Sequence, residues 1–277
     1  MAIAPARAQR PGADTPRIEP LQPGELDECP FCEGREDRTP PEVLAFPAEG
    51  RAPDTPGWTI RVVPNLYPAL ERQEVVVHSP EHIRSFGQLD EKQLDTVAEA
   101  WRRRREQAAG QGFPYLHAII NEGRAAGASL PHSHSQLVWL REAPPEAVAE
   151  EPNLRQADCA LCRLLEDQAG GPLLVTKRSG LAMLAAPAGR APYELLVAGD
   201  HSPDEAFLAT ALGLIGEGIR RLHAIEGAVP WNAWLHESGH PHFEVLPRLT
   251  VFAGLELGAG IYVNSLAPER AAEALRA

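Results

Sequence analysis

No stretch of this 277-residue chain approaches the ~18 to 20 consecutive apolar residues that a membrane-spanning helix requires, which excludes such a helix. A basic excess is missing too. Lys+Arg 26 against Asp+Glu 38 leave a net charge of −12, which argues against non-specific binding to nucleic-acid phosphates. An anionic ligand would have to be held by local arginines against an unfavourable global field. The opening MAIAPARAQRPG carries too short an apolar stretch for a secretory signal, so a cytoplasmic protein is expected. Cysteine is scarce at four residues, and in a reducing compartment close-spaced pairs read as metal ligands sooner than as disulfides. Low complexity is absent. A chain with 44% hydrophobic and 23% charged residues is an ordinary globular mix. Its length suits one large domain or two units of about 140 residues.

The chain reads as a unit written twice. Cys29/Cys32 and Cys159/Cys162 form two C-x-x-C pairs. Each is followed by a β-like run (Glu74–Val77, Glu194–Val197) and then by a histidine beside Ser-Pro (His82, His201). A helical stretch comes next, at about 88–108 or 203–225, with apolar residues at three-to-four spacing. Then come a strand candidate, Tyr115–Asn121 or Trp231–Leu235, and an H-x-H strand, His132/His134 or His240/His242. The gaps run in the same order: 53 and 50 residues from Cys29 to His82 to His132, against 42 and 39 from Cys159 to His201 to His240. The expected halves are 1–145 and 146–277, joined by a Pro- and charge-rich linker near 141–157.

Two thiolates two residues apart supply half of a tetrahedral zinc site. His82 and His132 would complete the first. Four N/S ligands leave no open position, so the role would be structural. A second set would be Cys159, Cys162, His201 and His240, with His236 competing for the last place. Its C-A-L-C-R-L-L run also reads as the start of a buried helix with inert thiols. In a strand, side chains alternate with period two, so His132, His134 and Gln136 share one face. Asn121, Gly123 and Gly127 precede them in a loop whose glycines allow close approach to a ligand, and Ser129 adds a hydroxyl. A neutral imidazole with its other nitrogen hydrogen-bonded is a competent nucleophile. Gln136 offers an NH₂ donor to phosphoryl charge but cannot act as acid or base. This suits transfer through a histidine adduct better than hydrolysis. In the second half Glu244 replaces the glutamine, so His242 is not expected to be a nucleophile. Arg102–Arg105 reads as a solvated helix face, and the five tryptophans read mainly as packing.

At these residues the sequence resembles the galactose-1-phosphate uridylyltransferase family of the histidine-triad superfamily. The signature N-x-G-x-x-x-G-x-S-x-P-H-x-H-x-Q is complete from Asn121 to Gln136. Further matches are C-P-F-C-x-G…T-P-P-E (Cys29 to Glu42), a V-P-N-x-Y-P-A-L strand (Val63 to Leu70), S-P-x-H (Ser79 to His82) and the closing run from Gly254 to Ala272. The resemblance implies an α+β fold: a duplicated histidine-triad-like unit forming an antiparallel half-barrel sheet with flanking helices, in a homodimer with a shared site. It implies that His134 becomes nucleotidylated, that Gln136 contacts phosphoryl oxygens, and that Ser129 and Asn121 hold phosphates. Arg7 and Arg10, in R-A-Q-R-P, would reach the nucleotide, as would Asn65. Zn²⁺ is implied at Cys29, Cys32, His82 and His132, and a second metal at Cys159, Cys162, His201 and His240.

The activity implied is that of a nucleotidyltransferase: UDP-glucose–hexose-1-phosphate uridylyltransferase, moving UMP between sugar 1-phosphates. Nucleotide sugar and sugar 1-phosphate would be its partners. Two departures qualify this. His-Ser-His-Ser-Gln stands where the best-known transferases carry His-Pro-His-Gly-Gln, and resembles the ADP-glucose phosphorylases, which would make phosphate the acceptor. The first residues resemble the end of the family's first strand, which implies an upstream start or a lost edge strand. A zinc-stabilised, non-catalytic nucleotide-binding module is the alternative of another class.

Overall fold

The computed structural model describes residues 1–9, 15–47, 49–155, 158–201 and 206–277. Arg10 lies outside them. The strands are β1 (Ala2–Ile3), β2 (Leu44–Phe46), β3 (Ile60–Pro64), β4 (Arg72–Val77), β5 (Tyr115–Glu122), β6 (His134–Leu140), β7 (Leu174–Arg178), β8 (Leu181–Ala185), β9 (Leu195–Ala198), β10 (Trp231–His236), β11 (His242–Pro247) and β12 (Val263–Asn264). The helices are α1 (Glu25–Glu28), α2 (Glu91–Ala109), α3 (Pro145–Glu150), α4 (Ala160–Asp167), α5 (Phe207–Glu226), α6 (Gly254–Ala259) and α7 (Pro268–Arg276).

Ten strands form one antiparallel sheet in the order β2-β3-β4-β6-β5-β10-β11-β9-β8-β7. Read inward from either edge, the topology is the same, and β5 meets β10 at the centre. Gln136 pairs across from Ile119, and Glu244 pairs across from Trp234. By the same register Asn121 corresponds to His236, two residues further on. Helices α2, α5 and α7 pack on one face of this sheet, over a hydrophobic core drawn from both sides of the β5–β10 seam. Trp101, Trp139, Trp231, Met183 and Phe243 are all fully buried there. The opposite face carries His134 and Gln136.

Helix α2 shows how local sequence sets an element. Asp90 and Gln93 cap it reciprocally, at 2.8 and 3.0 Å. Leu94, Val97, Ala98, Trp101 and Ala108 form its buried stripe. Arg104 lies in that stripe. Its guanidinium is 5% exposed and forms an ion pair with the equally buried Glu74 at 2.6 Å. The expected solvated face therefore holds for Arg102, Arg103 and Arg105 only. Position 104 falls on the sheet side, where a charge needs a partner. The expected linker at 141–157 is, over its described residues 141–155, not a free linker either. It contains α3, Ala147 and Leu154 are buried, and Glu150 reaches the second half. The chain's start pairs in parallel with its end, Ala2 with Val263 and Ile3 with Asn264.

Candidate functional site

The first cluster is assembled from three loops. Cys29 Sγ lies 3.4 Å from His132 Nδ1, and Cys32 Sγ lies 3.3 Å from His82 Nδ1 and 3.7 Å from His132 Nδ1. The four donor atoms all fall within 4.8 Å of one another. Around a tetrahedral ion with metal–S of about 2.3 Å and metal–N of about 2.0–2.1 Å, S and N sit about 3.5 Å apart. The outer nitrogens are also engaged: His82 Nε2 with Glu25 Oε1 and His132 Nε2 with the Ser79 carbonyl, both at 2.9 Å. Those bonds place the ring protons on Nε2 and turn Nδ1 to the thiols. Burial, with Cys29 alongside, pushes the Cys32 thiol up to about 12. Burial lowers His132 to about 3. Two crowded thiols and a neutral imidazole are a donor set that a divalent cation would satisfy.

The second cluster repeats the design. Cys159 Sγ is 3.2 Å from His240 Nδ1, and Cys162 Sγ is 3.5 Å from His240 Nδ1 and 3.9 Å from His201 Nδ1. His240 Nε2 bonds to the Gly199 carbonyl at 2.8 Å. His240, not His236, joins the cysteines. The sequence opposed a helix start to a metal site here, and the two are compatible: Cys159 caps α4, whose first turn carries Cys162, and both thiols stay within the cluster. Both clusters can hold a metal ion.

His134 opens β6, just past His132. Its Nδ1 lies 2.8 Å from the His132 carbonyl oxygen, so Nδ1 carries the proton and Nε2 keeps the lone pair. Burial holds its pKa below the usual imidazole range. A neutral ring at physiological pH follows. Phe31, from the first cysteine loop, packs edge-on against it at 5.4 Å. Of the three, only His134 and Gln136 belong to the strand proper, because His132 precedes it and turns toward Cys29 and Cys32. Asn121 lies in β5 rather than in the loop, and Gly123 and Gly127 bracket the turn that follows. Both glycines adopt positive φ, +85° and +88°. A Cβ on Gly123 would come within 2.9 Å of Pro230, so glycine is required there.

Arg84, Asn121, Gly123 and His132–His134 line one small cavity. A larger pocket beside it is lined by Ser129, Gly123, Arg124 and Arg84. Asn65 lies in a loop after β3, not in a strand, and shares a third pocket with Gln73. Arg7 is exposed on a short 3₁₀ turn beside the β1–β12 pair and lines none of these three pockets.

Ser133 and Ser135, the two departures from the better-known signature, turn their hydroxyls to His78. Each hydroxyl lies 3.0 Å from one of its ring nitrogens, and Trp101 Nε1 donates to Ser135. The serines are thus satisfied inside the core.

The mirrored site is built differently. His242 Nδ1 bonds to the His240 carbonyl at 2.8 Å, as in the first half. Its ring, however, stacks on His236 with centroids 4.5 Å apart and planes 7° apart. Glu150 Oε2 takes His236 Nδ1–H at 2.9 Å, and Trp234 Nε1 donates to His236 Nε2 at 2.6 Å. Glu244 forms an ion pair with Arg190. Acceptors and a stacked ring replace the donors of the first site. Glu150 and His236 were not anticipated in these roles, although aligning the two halves strand by strand would have set His236 against Asn121.

Glu122 supports the Gly123 turn from the helix side. Its Oε2 accepts from Phe86 N–H at 2.7 Å. Burial pushes its carboxyl up to about 7, against about 4.3 unfolded. The folded state therefore favours the protonated acid. That contribution is intact below the unfolded pKa and is lost as pH rises through about 7. Glu122→Gln should gain roughly 1 kcal/mol at pH 5 and on the order of 3 kcal/mol at pH 8. Urea unfolding at the two pH values checks this, and a gain that does not grow with pH refutes it.

The site is thus a duplicated antiparallel sheet carrying an H-x-H-x-Q strand beside a Cys₂His₂ cluster that can hold a metal ion. The chain is similar, over part or most of its length, to proteins of the galactose-1-phosphate uridylyltransferase family. Residues 68–145 match the family described as "Galactose-1-phosphate uridyl transferase, N-terminal domain". Over 99% of its length the chain is 28% identical to ADP-glucose phosphorylase of Arabidopsis thaliana, spanning 88% of that protein. It is 25% identical to galactose-1-phosphate uridylyltransferase of Thermotoga maritima, over 93% of this chain and 91% of that protein. The crystal structure of ADP-glucose phosphorylase from Arabidopsis thaliana with bound ADP-glucose superposes with a TM-score of 0.81 at 26% identity, over 99% of this chain and 94% of that one.

Proposed function

We propose that the protein moves a nucleoside monophosphate between a nucleotide sugar and a second acceptor through a covalent intermediate on His134. The observation that carries this is the His134 ring itself, with Nδ1–H committed to the His132 carbonyl and no protein partner on Nε2 among the described residues. Nε2 attacks the α-phosphorus, an N–P bond forms, and the P–O bond to the sugar 1-phosphate breaks. The acceptor oxygen then attacks the same phosphorus and the N–P bond breaks. Splitting one displacement into two lowers each barrier. Gln136, Ser129, Asn121, the N–H groups of the Gly123–Gly127 turn that are not bonded within it and Arg84 supply donors to the transferring phosphoryl. Asn65 and Arg10 are assigned to the nucleotide. Arg7, which lines none of the three pockets, would serve across a homodimer. Residues 1–145 act as the catalytic half and 146–277 as its scaffold.

Zinc is the ion that the thiol–imidazole donor sets fit best, at both clusters. Bound there, it would hold His132, and through it the start of β6, without activating water. The donor sugar is UDP-glucose or UDP-galactose, with a hexose 1-phosphate as acceptor. The similarity along 99% of the chain to an ADP-glucose phosphorylase favours a second reading, ADP-glucose with inorganic phosphate as acceptor. Intact-mass spectrometry after incubation with each of UDP-glucose, UDP-galactose and ADP-glucose tests the proposal. A mass gain of one nucleoside monophosphate is expected from one of them, and the acceptor that discharges it, hexose 1-phosphate or phosphate, separates the two readings. No adduct from any donor would overturn the covalent mechanism.

A further inference from the structure

A primary amide presents NH₂ and C=O groups of nearly equal size, so a half-turn swaps donor for acceptor at little steric cost. An amide that is to meet phosphoryl oxygens must be prevented from making that turn. Both amides of the candidate site are held, each by a second amide whose own polarity is fixed by the backbone. Ala69 N–H donates to Gln73 Oε1 at 2.8 Å. Gln73 therefore turns its Nε2 to Gln136 and donates to Gln136 Oε1. On the other side of the site, Asn232 Nδ2 donates at 2.7 Å to the Ala126 carbonyl, which can only accept. The same NH₂ donates at 2.7 Å to Asn121 Oδ1. In both cases the carbonyl oxygen of the site amide is occupied and its NH₂ is left over. The two relays come from opposite directions, Gln73 from β4 and Asn232 across the β5–β10 seam.

We propose that Gln73 and Asn232 are positioning residues that lock Gln136 and Asn121 with their NH₂ groups, rather than their oxygens, toward the transferring phosphoryl group. The inference rests on His134 being the nucleotidyl carrier. It also assigns work to the second half, because Asn232 holds a residue of the first half in its active orientation. Without the relays each amide divides its time between two orientations, one of which sets an oxygen against phosphate oxygens.

Two double-mutant cycles test this, read as the rate of adduct formation by intact mass with UDP-glucose and with ADP-glucose: Gln73→Met against Gln136→Ala, and Asn232→Leu against Asn121→Ala. Each relay substitution alone should slow adduct formation about 5- to 30-fold at saturating donor, with KM changed less than about threefold. In the background that already lacks the site amide, it should add less than about twofold. Gln73→Glu keeps the Ala69 bond but can only accept toward Gln136. It should be at least as slow as Gln73→Met, whereas a packing role would be rescued by it. Additive losses within the cycles, unchanged rates, or recovery by glutamate would overturn the inference alone. A wild-type chain that forms no adduct sinks it together with the reading of His134.

Discussion

Replacing His134 with alanine is expected to leave a folded chain that takes up no nucleotidyl group and turns over about 10⁴- to 10⁶-fold more slowly, the usual cost of losing a nucleophile. Deleting one ring should not unfold the sheet, because β6 keeps its pairing with β4 and β5. His242→Ala is the matched control. That histidine has the same backbone bond through Nδ1, yet its ring is stacked on His236 beside the Glu244–Arg190 pair. A carboxylate near a phosphate repels it, where Gln136 donates. Adduct formation in His242→Ala should therefore stay within about threefold of wild type. Intact-mass kinetics on the two variants settles the matter. An adduct surviving in His134→Ala, or one located on His242, would refute the assignment.

Loss of the zinc proposed at the first cluster is expected to have the largest effect on stability. Its ligands tie the Cys29–Cys32 loop to the segments before β6 and after β4. The packing beneath is a small satellite cluster, with Phe31, Trp58, Val63, Val75 and Val77, separate from the main core. Structural zinc contributes roughly 10–16 kcal/mol of binding free energy in small domains, against a total stability of about 5–15 kcal/mol for a typical protein. Cys29→Ser combined with Cys32→Ser should lower the melting temperature by more than about 10 °C and remove close to one equivalent of metal. The same change at Cys159 and Cys162 should remove the other. Strong chelators should melt the Cys29 region first, and adduct formation should fall with it, because His132 holds the carbonyl that orients His134. Metal content by elemental analysis and melting by calorimetry check this. A melting temperature unchanged after demonstrated metal loss would overturn it.

The two Cys₂His₂ clusters and the H-x-H-x-Q strand were legible in the sequence because these residue types are few and are spaced locally. C-x-x-C and H-x-H place donors within one turn or one pleat whatever surrounds them. The duplication was legible as repeated order, and the strand order bears it out. What the chain alone determined, then, was the repeated unit, its Cys and His donors and the strand that carries His134. The tertiary structure decided the rest: that Arg104 is buried against Glu74, that 141–155 packs instead of linking, that His240 and not His236 meets Cys159 and Cys162, that Ser133 and Ser135 bond to His78, and which amides Gln73 and Asn232 touch. Each of these depends on which side of a sheet or helix a residue faces, and on which distant strand lies next to it. Sheet register brings together residues 63 to 111 positions apart, and no local pattern encodes that.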